Sequence, residues 1–94
     1  MQIKWLNRAK RALDNEISFI AQEDIELAQK IYAHIQVQVL MLKEFPELGR
    51  SGRIWGTREL VISKYAYIIS YRIKDKNLEI LTVFHTKRQL PNNW

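Results

Sequence analysis

The chain has 94 residues, of which 47% are hydrophobic, and carries a formal net charge of +5. This length predicts a single domain over residues 1–94, and the hydrophobic fraction excludes a disordered chain. The absence of cysteine excludes disulfides and thiolate chemistry and favours a reducing compartment, so we expect a cytoplasmic protein. We expect no signal peptide, because the N-terminus has no apolar run followed by a small-residue cleavage site. We expect no membrane partner, because no apolar run approaches the roughly 20 residues of a membrane helix.

The positive charge belongs to the second half of the chain. Residues 1–47 hold six Lys/Arg and seven Asp/Glu, whereas residues 48–94 hold nine Lys/Arg and three Asp/Glu. A modest positive charge can simply serve solubility. Its clustering with glycines and aromatic residues favours an anionic partner, either nucleic acid or an acidic protein.

Two amphipathic helices are predicted in the first half, after a short strand at residues 3–5. Asn7 is the predicted N-cap of the first helix and Asp24 that of the second, while Pro46 should end the second helix near Phe45. The apolar residues at helical spacing are Ala9, Leu13, Ile17 and Ile20, followed by Ala28, Ile31, Ile35, Val39 and Leu42. Two such helices with a short link predict an antiparallel helical hairpin.

The pattern changes after the second helix from helical to strand-like. Residues 46–56 hold all three glycines of the chain, which predicts a loop. Segments rich in β-branched and aromatic residues predict three strands at 57–63, 65–73 and 78–85, with a hairpin turn at 75–77. The resulting β-α-α-β-β-β order predicts an α+β fold, with the helical hairpin packed on one face of a mostly antiparallel sheet.

The alternation of side chains along the last two strands assigns residues to the two faces of this sheet. The residues assigned to the helix-covered face are Ile69, Tyr71, Ile80 and Phe84. By the same parity, Arg72 and His85 should emerge together on the opposite, open face, unless a bulge reverses the alternation.

Basic side chains are the candidates for chemistry. Arg50 and Arg53 each follow a glycine, so they either grip phosphate where the backbone comes close or lie in a solvated turn. Arg58 and Arg72 lie in predicted strands, where they either line a positive groove or form a salt bridge, for example to Glu79.

His85 is the candidate proton carrier. Its basic neighbours Lys87 and Arg88 would lower the pKa of its imidazole, which would then titrate near neutral pH. Such a group could act as general acid or base in RNA cleavage, where the 2′-hydroxyl attacks the adjacent phosphate and cations stabilise the charge. This chemistry requires no metal and no cofactor, and two histidines without cysteine make a zinc site improbable.

Three further residues keep two readings each. Glu59 could act as a base, but we favour neutralisation of a neighbouring arginine. Trp55 and Trp94 could stack on bases or cap the core.

These residues together resemble the RelE/ParE superfamily of toxins. The ordered run that carries the resemblance is Leu48-Gly49-Arg50, Gly52-Arg53, Gly56-Thr57-Arg58-Glu59-Leu60, Tyr67-Ile68-Ile69, Tyr71-Arg72, Val83-Phe84-His85, Arg88 and Pro91. The helical segment from Trp5 to Pro46 resembles the helical hairpin of the same family. The resemblance therefore covers nearly the whole chain and rests on the order and spacing of the pieces.

The resemblance implies a growth-inhibiting toxin of a type II toxin–antitoxin system, neutralised by a cognate acidic antitoxin. The first expectation is a RelE-like toxin, which would cut mRNA on the ribosome, with His85, Arg72, Arg58 and Arg88 as catalytic residues and Arg50, Arg53 and Lys87 as nucleic-acid-binding residues. A ParE-like toxin would instead inhibit DNA gyrase by protein binding and cut no RNA. The tail at 88–91 looks like that of ParE-type members, and the RelE-like tyrosine soon after the last-strand histidine is absent. A third alternative is a plain nucleic-acid-binding module.

Overall fold

The computed structural model of the protein describes residues 1–87. The strands are β1 (Gln2–Trp5), β2 (Arg50–Ser51), β3 (Arg58–Ile62), β4 (Tyr67–Lys74) and β5 (Asn77–His85), and the helices are α1 (Asn7–Ala21) and α2 (Ile25–Leu40). Short 3-10 turns follow α2 and β3, at Met41–Lys43 and Ser63–Tyr65. No helix in this described part is long and apolar enough to cross a membrane. The predictions for Arg88 and Trp94 lie outside the described residues.

The local sequence predicts the N-cap of α2 correctly but misplaces that of α1 by one residue. Asp24 caps α2 as predicted, because its carboxylate accepts a hydrogen bond from the Leu27 backbone N–H at 3.0 Å. The prediction for α1 is wrong by one residue, since extended Leu6 is the N-cap and Asn7 is the first helical residue. No side chain caps α1; the Leu6 carbonyl instead accepts the first backbone bonds of the helix.

The predicted apolar stripes form the core between the helices and the sheet. All five stripe residues of the second helix are buried, as are Ala9 and Leu13 of α1, while Ile17 and Ile20 pack against them at the margin. The second helix ends earlier than Pro46 predicts, because the chain tightens into the 3-10 turn after Leu40.

The sheet has the order β1-β5-β4-β3-β2. β1 runs parallel to β5 and the other three pairs are antiparallel, which confirms the predicted α+β architecture. The prediction omitted β2, a two-residue strand within the segment predicted as a loop. The β4–β5 hairpin closes through Asp75 and Lys76, both with positive φ, which is the backbone of a tight two-residue hairpin turn.

A β-bulge in β5 reverses part of the predicted face assignment. Ser70 pairs with Thr82 but Tyr71 pairs with Ile80, so Leu81 is an extra residue in β5. Beyond the bulge Val83, not Phe84, joins the core against the helices. The prediction that Phe84 lies on the helix-covered face is therefore wrong, and so is its consequence for His85.

Candidate functional site

The arginines beside the two glycines converge on one buried carboxylate. Glu59 is 2% exposed and lies on the sheet face opposite the helices, which we call the second face. The side chains of Arg50 and Arg53 donate to it, with Nη2 of Arg50 3.2 Å from Oε1 and Nε of Arg53 2.9 Å from Oε2. The Arg53 backbone N–H adds a bond of 3.0 Å to Oε2. We call Arg50, Arg53 and Glu59 the Glu59 cluster.

Hydrogen bonds from the two arginines favour the ionised form of the Glu59 carboxylate. Burial by itself raises the pKa of Glu59, but the hydrogen bonds from Arg53, and then from Arg50, outweigh it and hold the pKa below its ordinary value. The Arg53 guanidinium also lies over the Phe84 ring, 5.1 Å from its centroid. Glu59 thus neutralises its neighbours, the role favoured from the sequence, and the cluster fastens the segment after β2 to the second face.

Arg58 also holds a loop. Its cross-strand partner is Tyr71, so it projects to the same side as the core, away from the Glu59 cluster. Its Nη1 donates to the carbonyl oxygens of Gly49 at 2.8 Å and Glu47 at 3.3 Å. These bonds give Arg58 a structural task, which was neither of the two roles offered from the sequence.

The Tyr71 hydroxyl also binds the loop between α2 and β2. Its buried hydroxyl donates to the Pro46 carbonyl and accepts from the Gly49 N–H, both at 2.8 Å. Burial raises the pKa of Tyr71, so the hydroxyl keeps its proton for the first of these bonds. A Cβ at Gly49 would lie 2.7 Å from the Tyr71 ring, which explains a glycine at this position.

Arg72 forms the salt bridge that the sequence offered as its alternative role. Its Nε lies 2.7 Å from Oε1 of Glu79, its cross-strand neighbour on β5. The Arg72 side chain remains 40% exposed, so the pair lies at the surface of the second face. Arg72 is therefore partly neutralised but still accessible.

His85 points to the helix-covered face. It pairs across the strands with Tyr67, a core residue, and the two rings meet edge to face with centroids 5.0 Å apart. The Lys87 backbone N–H donates to Nδ1 of His85 at 3.1 Å, so the proton of a neutral ring resides on Nε2. Burial, and then the charge of Lys87, lower the pKa of His85, which favours the neutral ring.

The predicted catalytic residues do not form one constellation. Arg72 and Tyr67, the partner of His85, are five residues apart on β4, which corresponds to about 17 Å along an extended strand. Arg72 and His85 also lie on opposite faces, so the prediction that they share the open face is wrong. Lys87 is exposed beyond the end of β5, and Arg88 lies outside the described residues. Within residues 1–87 the structure thus does not bring Arg72 to the imidazole of His85.

The sequence left two roles open for Trp55, stacking on bases or capping the core. It occupies the turn between β2 and β3 and is 97% exposed, so it does not cap the core. The sequence signal was present in the glycines around it, which predicted a loop but not the direction of the indole.

Comparisons with known proteins agree with this fold. Residues 3–90 match the family described as the ParE toxin of type II toxin–antitoxin systems, parDE. A Sinorhizobium fredii protein named "Putative toxin Y4kP" is 44% identical over 90 residues, covering 96% of this chain and 93% of that protein. A solved chain of the chromosomal ParDE toxin–antitoxin system from P. aeruginosa superposes with a TM-score of 0.85 at 26% identity, covering 93% of this chain and 97% of that one.

A helical hairpin on a five-stranded sheet, together with these likenesses, defines the chain as a type II toxin of the RelE/ParE superfamily. Within that superfamily the chain belongs to the ParE toxin family. Its binding partner is a cognate antitoxin.

Proposed function

We propose that this toxin inhibits DNA gyrase by protein binding and does not cleave RNA. Gyrase inhibition is what the resemblance to ParE-type members implies, and the match of residues 3–90 to the ParE family supports it. The toxin would arrest growth by blocking an essential enzyme through surface contact, without chemistry of its own.

The separation of His85 from Arg72 carries this proposal. General acid–base cleavage requires the proton carrier within hydrogen-bond reach of the reacting atoms, and the cations must surround the same phosphate. Here the imidazole and the Arg72 guanidinium lie on opposite faces. The other strand arginine, Arg58, is bound to backbone carbonyls.

The protonation state of His85 further supports a toxin without ribonuclease activity. Its lowered pKa makes a protonated general acid scarce at neutral pH. Its Nδ1 lone pair already accepts the Lys87 N–H, and a proton on Nε2 leaves that nitrogen unable to act as a base. Neither half of acid–base catalysis is favoured in this arrangement.

The cognate antitoxin is proposed to be acidic over the segment that covers the toxin. The excess of nine Lys/Arg over three Asp/Glu in residues 48–94 supports this complementarity. Antitoxin affinity should then fall as salt rises, because screening weakens contacts between exposed charges.

Two assays on the same purified toxin test the proposal. We expect the toxin to block supercoiling of a relaxed plasmid by gyrase, while primer extension on a translated reporter mRNA finds no new cleavage. The antitoxin complex serves as the inactive control in both assays. Cleavage of translated mRNA with gyrase unaffected would overturn the proposal in favour of the ribosome-dependent ribonuclease.

A further inference from the structure

An almost fully exposed tryptophan stands at the tip of the β2–β3 connection. Trp55 is 97% exposed, whereas the next most exposed large apolar side chain in residues 1–87 is Ile25, at 65%. An indole in water forgoes a large hydrophobic gain, since aromatic side chains of this size bury 150–250 Å² when packed. The fold does not use Trp55 for its own stability, so its exposure needs another explanation.

The backbone holds Trp55 in a fixed position. The Thr57 N–H donates to the Ile54 carbonyl at 3.1 Å, which closes a four-residue turn with Trp55 second and Gly56 third. Gly56 has a φ of +83°, the left-handed value that the third position of a type II turn requires. The Gly52 N–H donates to the Thr57 carbonyl at 2.8 Å and closes the base of the turn.

The Glu59 cluster anchors this turn to the sheet. Arg53, two residues before Trp55, is bound to Glu59 through both its backbone and its side chain and lies over Phe84. We call residues 52–57 the Trp55 turn. A side chain presented on a rigid support loses little conformational freedom on binding, which is the property of an interface anchor.

The surroundings of the Trp55 turn are apolar and basic. On one side a shallow depression includes Leu6, Leu81, Arg8 and Arg72; on the other, a second one includes Arg58. Among the described residues, neither lining contains an acidic side chain or a second aromatic ring. The turn therefore combines one large ring with a rim of arginines, of which Arg72 is partly neutralised by Glu79.

We propose that Trp55 is the anchor by which the toxin engages its target protein. The indole would enter an apolar pocket on the partner, and carboxylates around that pocket would meet Arg8, Arg58 and Arg72. Tryptophan and arginine are the residue types most enriched among side chains that dominate binding energy at protein interfaces. The identification of the target as gyrase rests on the proposed function above, whereas the anchoring role of Trp55 does not.

The geometry favours a protein over nucleic acid as the partner. Single-stranded nucleic acid is bound by several rings along a positive groove, on which successive bases stack. Trp55 is the one aromatic residue that lines either depression within residues 1–87, and it projects from a turn. A single projecting ring suits one pocket on a folded surface.

The test compares Trp55→Ala with Ile25→Ala, a control that removes an exposed apolar side chain at the first residue of α2. We expect Trp55→Ala to weaken inhibition of purified gyrase by about thirtyfold or more, and to relieve growth arrest in induced cells. Trp55→Phe should retain part of the activity. Because Trp55 contributes little to the core, the thermal midpoint should match the parent in both alanine variants. Antitoxin affinity should also match, since the proposal assigns Trp55 to the target.

The possible outcomes separate the two proposals. Full toxicity of Trp55→Ala would overturn the anchor. Loss of antitoxin affinity together with toxicity would also overturn it, since the turn would then serve the antitoxin or the fold. If the parent toxin left gyrase unaffected but Trp55→Ala alone lost toxicity, the gyrase proposal would fail and the anchor would stand.

A mobility-shift assay on duplex and single-stranded DNA without gyrase completes the test. DNA binding that depends on Trp55 would assign the turn to nucleic acid and overturn a protein partner.

Discussion

Arg53 holds both carboxylate oxygens of Glu59, with Nε 2.9 Å from Oε2 and Nη2 3.3 Å from Oε1, while its own backbone N–H donates to Oε2. One side chain thus fastens the start of the Trp55 turn to a buried position in β3. Because Glu59 is 2% exposed, the charge on this carboxylate depends on its arginines for compensation.

Replacing Glu59 should therefore destabilise the protein. Glu59→Gln removes the negative charge while keeping the shape, and leaves Arg50 and Arg53 beside an amide that cannot compensate them. We expect a loss of about 2–3 kcal/mol in the free energy of unfolding, measured by urea denaturation. Glu79→Gln is the matched control: its pair with Arg72 is more exposed, so the loss should stay below about 1 kcal/mol. Equal losses in the two variants would contradict a special role for the Glu59 cluster.

The contribution of Glu59 should also depend on pH. Its pKa is lower in the folded protein than its ordinary value of 4.5. The stabilisation is therefore present above that value and is lost as pH falls through the folded pKa. The difference in unfolding free energy between the parent and Glu59→Gln should shrink below about pH 4.5. A difference that stayed constant or grew on acidification would refute this account.

Tyr71→Phe should destabilise the loop after α2. The hydroxyl satisfies the Pro46 carbonyl and the Gly49 N–H, and its removal leaves the half-buried carbonyl and the buried N–H without that partner. We expect a loss of about 2–3 kcal/mol, observed as a lower urea midpoint. Tyr67→Phe makes the comparison, because its hydroxyl reaches Glu16 on α1 at 3.2 Å, where water can replace it. Its loss should be about 1 kcal/mol, and a larger loss than for Tyr71→Phe would reverse the assignment.

The two glycines of the Trp55 turn should respond differently to alanine. A Cβ at Gly52 would come 2.1 Å from Oγ1 and 3.0 Å from the backbone of Thr57, so the turn would have to shift. A Cβ at Gly56 meets nothing within 4 Å and costs only the strain of its positive φ, about 1 kcal/mol. Gly52→Ala should therefore lower the thermal midpoint more than Gly56→Ala does. It should also weaken the activity that depends on Trp55, since the indole would move with the turn.

His85→Phe separates an interaction toxin from a ribonuclease. Phenylalanine keeps a ring against Tyr67 but cannot transfer a proton. We expect toxicity and gyrase inhibition to stay within about threefold of the parent, whereas a general acid or base would be worth about 10²–10⁴-fold. Abolished toxicity with antitoxin binding intact would favour the ribonuclease.

The same variant reports the ionisation of His85 through stability. The folded pKa of His85 lies below its ordinary value of 6.5, so folding favours the neutral ring. The corresponding stability is present above pH 6.5 and is lost as pH falls toward the folded pKa. Between pH 7.5 and 5.5 the parent should lose thermal stability relative to His85→Phe. A parent that gained stability over this range would point to an anionic partner of the imidazole.

Local pattern in the sequence was enough to predict both helices and four of the five strands in the described part of the chain. The stripe from Ala28 to Leu42 is buried because side chains three and four residues apart share one face of a helix whatever packs against it. Asp24 caps α2 and the Asp75 turn closes the last hairpin for equally local reasons, since both depend on a few consecutive residues. The family resemblance was likewise carried by order and spacing along the chain.

Tertiary structure alone decided which of the candidate residues meet. The extra residue at Leu81 exists only relative to β4, so the sequence of β5 does not reveal that His85 turns toward the helices. Arg58 and Tyr71 donate to backbone carbonyls of the loop before β2. Because every residue has a backbone carbonyl, the sequence does not indicate which one a side chain will bind. Glycines around Trp55 predicted a loop, but the exposure of its indole depended on the Glu59 cluster, which holds the turn on the second face. Periodicity determines which residues share an element, whereas register and long-range hydrogen bonds determine which elements, and therefore which side chains, come together.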